Sequence, residues 1–285
     1  MNTPETDPLL SQQSESAAPA ESLLPPAPPV KNFPEDLRVP WGWSEVLLFL
    51  LFSLMSYFLL AVVLVVAFQL RGIPFHEVNE VNSLRSLFIV ADTALVSVAL
   101  MAYLVFTARV RYRAPFWRTL GWRPFPERFP RPLVYAACVL GGGIFAVIIG
   151  LASAAVGKKG TLPIEKLLQD RQGTFLLMGL GILVAPLVEE TIFRGFLYPL
   201  LARSFGVSAG VLVTGTLFGM LHAGQLWGGW GQIALLILVG IVFTYVRAWT
   251  GTVLASYLLH VSYNTYLFTG LYFATNGFRH LPGAH

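Results

Sequence analysis

Charge is scarce in this chain. Asp, Glu, Lys and Arg account for 12% of its 285 residues, about half of the roughly 25% expected of a soluble domain. Apolar and aromatic residues account for 55%. That balance excludes a large soluble domain and places the chain among polytopic membrane proteins, with room for about six to eight spans of some 20 residues in one membrane domain. Cysteine is scarcer still. Cys138 stands alone, so no disulfide can form, and a single cysteine in an apolar helix reads as a buried, inert thiol. A secretory signal is also missing: the first forty residues have no basic stretch followed by a short apolar run and a small-residue cleavage site.

Those residues instead carry Pro25, Pro26, Pro28 and Pro29 among scattered Ser, Gln and Glu. Such a segment cannot bury enough apolar surface to fold. Residues 1–43 are expected to be a disordered, proline-rich cytoplasmic tail, and residues 44–285 a transmembrane domain. The fold expected there is all-α, a polytopic transmembrane helical bundle of about seven spans. The spans are Val46 to Leu70, Leu87 to Phe106, Pro132 to Val156, Thr174 to Ala202, Val207 to His222, Gln232 to Tyr245 and Thr252 to Tyr272. Pro186, Gly195 and Pro199 predict kinks in the fourth, or its division into two helices. Trp41, Trp43, Trp227, Trp230 and Trp249 lie near span ends, where aromatic belts belong.

Orientation follows from arginine. Arg109, Arg111, Arg113, Arg118, Arg123, Arg128 and Arg131 crowd the loop after the second span, which therefore faces the cytoplasm together with the N-terminus. On the opposite side Arg71, Lys158, Lys159, Lys166 and Arg171 are balanced by Glu77, Glu80, Glu165 and Asp170. The arginine loop lies directly beside the spans, so membrane lipids rather than nucleic acid are its expected partners.

Against this background the run VAPLVEETIFRGFLYPL is costly. It places Glu189, Glu190 and Arg194 in an apolar segment, where each ionised group costs a few kcal/mol and marks a functional site by default. Glu190 and Arg194 share a helix face and form an ion pair in the plain reading. Glu189 points about 100° away and stays available to a cavity. Two later helices offer partners: FGMLH, Phe218 to His222, and HVSYN, His260 to Asn264. At about 1.5 Å per residue, Glu189 lies roughly 21 Å above Arg203, His222 roughly 22 Å above Val207 and His260 roughly 13 Å above Gly251. All three fall near mid-membrane, as a buried polar cavity among three helices requires.

Two histidines, a carboxylate and an amide suit hydrolysis of an amide bond. A carboxylate in apolar surroundings can act as general base on water while histidine or asparagine stabilises the oxyanion. The same set can hold a divalent metal such as zinc through Glu189, His222 and His260, leaving a position for activated water. Both routes stay open at this point.

The three signatures together, EETIFR, FGMLH and HVSYN, resemble the CAAX-type intramembrane endopeptidases, also called the CPBP family or type II CAAX prenyl protease-like proteins. The resemblance covers residues 173–268 with order and spacing intact. It implies a membrane endopeptidase in which Glu189 activates water, Glu190 and Arg194 arrange the site, His222 joins Glu189 at the water or metal, and His260 and Asn264 hold the oxyanion or complete coordination. The implied partner is a peptide or protein substrate, prenylated or membrane-embedded. The plasma membrane of a bacterium is the expected location. The alternative is a non-catalytic membrane binding or immunity-type protein. A proton-coupled transporter is less favoured, since no inverted repeat of broken helices is present.

Other motifs fail on context. His76 to Glu80 begins like a zinc motif but has Glu80 in place of the second histidine and is expected in a loop. Ser208 sits in a G-x-S-x-G pattern without the strand a nucleophile elbow needs, and reads as a helix cap. Asp92 reads as a paired structural aspartate, and His280 and His285 as terminal residues without a role.

Overall fold

The computed structural model describes residues 33–127, 130–157 and 162–280. The expectations for residues 1–32 and for Arg128, Lys158, Lys159 and His285 lie outside them, as does the side chain of Lys166. Among the described residues the secondary structure is entirely helical, and the expected all-α bundle is what forms. Its long helices are α1 (Trp43–Leu70), α2 (Asn82–Arg111), α3 (Arg131–Val156), α4 (Arg171–Phe205), α5 (Val207–Leu221), α6 (Trp230–Thr250) and α7 (Val253–Ala274). The first four and α6 are long and apolar enough to cross a membrane. α5, at 15 residues, is shorter, and α7 carries the more polar sequence with His260 and Asn264.

Helices α1 and α3 show why such a chain needs lipid. α1 exposes Leu47, Leu50, Met55, Phe58 and Val62, while α3 exposes Leu140, Ile144 and Leu151. A helix that is apolar all round with one side unpartnered is solvated by hydrocarbon, not water. With no hydrophobic force between helices in lipid, close packing must come from small residues. α5 and α6 meet at Gly215 and Gly240, where a Cβ on Gly240 would stand 2.4 Å from the Gly215 carbonyl oxygen. α3 and α7 meet the same way at Gly142, whose Cβ would stand 2.4 Å from Leu259 O.

The fourth segment is one unbroken helical run from Arg171 to Phe205, not two helices. It does contain two wide π-type stretches, Leu180–Val184 and Thr191–Leu197. Each lies directly ahead of a proline-bearing turn, Ala185-Pro186 and Tyr198-Pro199. A proline ring collides with the carbonyl four residues back, and a locally widened turn relieves that collision without breaking the helix. Gly195 is needed for close approach, since a Cβ there would stand 2.7 Å from Leu120 O.

Four further expectations change. Residues 33–42 were grouped with the disordered tail, yet Leu37, Val39 and Trp41 are buried and Glu35–Leu37 forms a 3-10 turn. Trp41, expected in an aromatic belt, is 1% exposed and donates its indole N–H to Phe196 O at 3.0 Å; Trp43, Trp227, Trp230 and Trp249 are exposed. Asp36 pairs with the fully buried Arg247 at 3.0 Å, and Arg203 donates to the carbonyls of Val39 and Trp41. These ties reward ordering that the proline-rich composition alone does not. Finally, Phe75–Glu80 is a short helix, and Gly206, not Ser208, caps α5.

Candidate active site

The site is assembled at the centre of α4, between its two π-type stretches. There the six residues Ala185–Glu190 form regular α-helix, and Glu189 and Glu190 leave it about 100° apart. Glu190 and Arg194 are fully buried and pair at 2.9 Å. The guanidinium is used further: Nη2 donates to Gly240 O at 2.8 Å and Nε to Thr244 Oγ1 at 3.1 Å, both on α6. Phe218 lies under it, with Cζ 4.5 Å from the ring centroid. A buried guanidinium is tolerable only with such complete pairing.

Glu190 Oε1 accepts a second hydrogen bond, from His260 Nδ1 on α7 at 3.0 Å. A carboxylate can only accept here, so Nδ1 carries the proton and Nε2 faces the other way. It faces Glu189, whose Oε2 is 3.8 Å distant. His222 repeats the arrangement from α5. Its Nδ1 donates to Phe218 O at 2.9 Å, and its Nε2 stands 3.9 Å from Glu189 Oε1. Each oxygen of one carboxylate is therefore faced by one imidazole Nε2. Phe218 also packs on both rings, with centroids 5.0 Å from His222 and 5.8 Å from His260.

These side chains open on a cavity of about 400 Å³, lined by Glu189, His222, His260 and Asn264 and otherwise mainly by aliphatic and aromatic residues, among them Leu177, Leu180, Leu236 and Phe268. Asn264 donates to Gly181 O at 2.7 Å, tying α7 to the first π-type stretch of α4, and its side-chain amide has one further N–H to give. Glu189 is 22% exposed and Glu190 not at all, so two adjacent glutamates occupy different environments.

The structure thus brings all six predicted residues, Glu189, Glu190, Arg194, His222, His260 and Asn264, around one point. The His260 bond to Glu190 goes beyond the sequence reading, which gave Glu190 to Arg194 alone. Gly240 and Thr244 were missed; a glycine and a threonine one turn apart in an apolar helix carry no signal of a buried arginine. Ser208 lines a different cavity, with Val211 and Tyr245, and not the one that holds His260. Asp92 is buried, and its Oδ1 has no partner among the described residues, so the pairing expected there is not seen at that oxygen. Glu189, His222 and His260 suit a divalent cation by donor type, but no group of three His, Cys, Asp or Glu among the described residues is arranged to hold one. Donors around a tetrahedral zinc stand about 3.3 Å apart, closer than the separations observed.

Residues 171–266 match the family model described as Type II CAAX prenyl endopeptidase Rce1-like. No curated protein and no solved structure matches the chain. The matched stretch starts at the first residue of α4, ends within α7 and includes every residue gathered around Glu189. In this integral membrane protein, the stretch that carries the six residues around Glu189 is thus similar to the Rce1-like type II CAAX prenyl endopeptidases.

Proposed function

We propose that the chain is an intramembrane endopeptidase that hydrolyses peptide bonds with a water activated by Glu189 and His222. The observation that carries this reading is the Glu189 carboxylate faced by two imidazole Nε2 atoms at 3.9 and 3.8 Å in an apolar-walled cavity. Water placed between Glu189 Oε1 and His222 Nε2 gives one proton to the carboxylate as its oxygen attacks the scissile carbonyl. Glu189 then passes that proton to the leaving amine. The developing oxyanion is met by the side-chain amide of Asn264, while His260, held at Nδ1 by Glu190, aims Nε2 at Glu189.

Glu190 holds His260 at Nδ1, so the orientation of the ring is fixed by a partner behind it.

The aliphatic walls suit an apolar or isoprenoid-bearing segment near the scissile bond. The arginine-rich loop and residues 33–42 lie at one end of the bundle, joined by ion pairs of Glu35 with Arg118 and Arg123. The arginine excess supports a cytoplasmic placement of that end.

The test is cleavage of a quenched-fluorescent peptide library, with and without a prenyl group, by purified wild type and Glu189→Ala protein, each with and without chelator. Cleavage by wild type and none by a folded Glu189→Ala variant is expected. Equal cleavage by both would overturn the assignment, and survival of a cellular protective effect in the variant would favour the binding-protein alternative.

A further inference from the structure

We propose that Thr244 is a positioning residue for this site, acting through Arg194 and Glu190 on the tautomer and aim of His260; the inference rests on the endopeptidase reading for its kinetic consequence but not for its structural one. Threonines in these helices commonly bond the carbonyl four residues back, as Thr191 does to Leu187 O, Thr250 to Val246 O and Thr265 to Val261 O. Thr244 does so too, donating to Gly240 O at 2.7 Å. It differs in what its oxygen accepts, the Nε–H of Arg194. The same Gly240 carbonyl accepts Arg194 Nη2–H. Arg194 Nε, Arg194 Nη2, the Thr244 hydroxyl and the Gly240 carbonyl therefore close a ring that fixes the plane of the guanidinium fork.

The remaining direction of that fork, Nη1, points at Glu190 Oε1, the atom that also accepts from His260 Nδ1. One oxygen thus links the arginine to the histidine. Thr244, Arg194 and Glu190 are all fully buried, so no bulk water can replace a missing partner. Without the Thr244 hydroxyl the Nε–H is unsatisfied, the fork turns, and Glu190 Oε1 moves with it. Gly240 cannot compensate by shifting, because α5 backbone lies against it.

The test uses the full chain in bicelles with 15N-labelled histidine, the His260 resonance being assigned by comparison with His260→Gln. Wild type and Thr244→Ser are expected to show one locked Nδ1–H tautomer, and Thr244→Val an exchanging mixture. Thr244→Ala serves if Thr244→Val does not fold. On a cleaved peptide, Thr244→Val should lose about ten- to hundredfold in kcat, the usual cost of an outer hydrogen-bond partner, with KM within about twofold and Thr244→Ser restoring kcat. A locked His260 tautomer in a folded Thr244→Val or Thr244→Ala protein, or Ser and Val variants that behave alike, would overturn the proposal. Absence of any cleavage by wild type would count against the endopeptidase reading alone, since the tautomer spectra still decide whether Thr244 positions His260.

Discussion

Replacing Arg194 by Met should destabilise the protein far more than replacing Arg194 and Glu190 together. Both side chains have no solvent exposure. Removing one member of a buried ion pair leaves an uncompensated charge and costs about 3–5 kcal/mol, whereas replacing both with neutral groups of similar volume is often close to neutral. Here Arg194→Met strands the Glu190 carboxylate, with His260 left as the partner of Oε1, and also leaves Gly240 O and Thr244 Oγ1 without the guanidinium. In Glu190→Gln/Arg194→Met no charge is stranded, and the side-chain amide oxygen introduced in place of the carboxylate can still accept from His260 Nδ1. The double variant should recover about 2–3 kcal/mol relative to the sum of the singles, within the range of couplings measured between contacting residues. Reversible unfolding in mixed micelles, followed by tryptophan fluorescence for wild type, both single variants and the double, measures this. An Arg194→Met protein within about 1 kcal/mol of wild type, or strict additivity in the double, would refute the reasoning; either would mean that water reaches the pair.

The helix contacts and the ordered segment before α1 give three further tests. Gly240→Ala forces a Cβ to within 2.4 Å of the Gly215 carbonyl and should cost about 1–3 kcal/mol by prying α5 from α6, while Gly150→Ala, with nothing within 4 Å, should leave the same unfolding midpoint unchanged or raise it. Asp36→Ala strips the carboxylate from fully buried Arg247 and should destabilise the fold by about 1–3 kcal/mol and open residues 33–42 to limited proteolysis. Hydrogen bonding from Arg118 and the nearby charge of Arg123 hold the exposed Glu35 carboxyl below its ordinary value of 4.5. Any stability from that cluster is present above pH 4.5 and is lost as the pH falls through the lowered value. The difference between wild type and Glu35→Gln in thermal melts should therefore vanish in strong acid and shrink with added salt.

Much of the candidate site was legible because ionisable residues are so costly in an apolar run that their mere presence is a signal. Glu189, Glu190 and Arg194 stand out against VAPLV and GFLYPL, and the helical period alone assigns Glu190 to Arg194 and frees Glu189. Phe218 and His222, like His260 and Asn264, are four residues apart and so share a face by geometry. Span positions were legible for the same reason, as length and hydropathy are local properties.

What the sequence determined by itself was therefore the class of fold, the approximate spans and the side chains worth their burial. Tertiary structure decided everything that depends on which helix lies beside which. Only the placement of α6 beside α4 supplies Thr244 and the Gly240 carbonyl to Arg194. Only the seating of α7 gives Glu190 its second partner in His260. Residues 33–42 look like tail by composition, yet they are ordered because a buried Arg247 and a backbone carbonyl in a widened helical turn are waiting for Asp36 and Trp41. Composition reports the free energy a segment can gain from its own surface; it carries no record of unsatisfied partners that distant helices present to it.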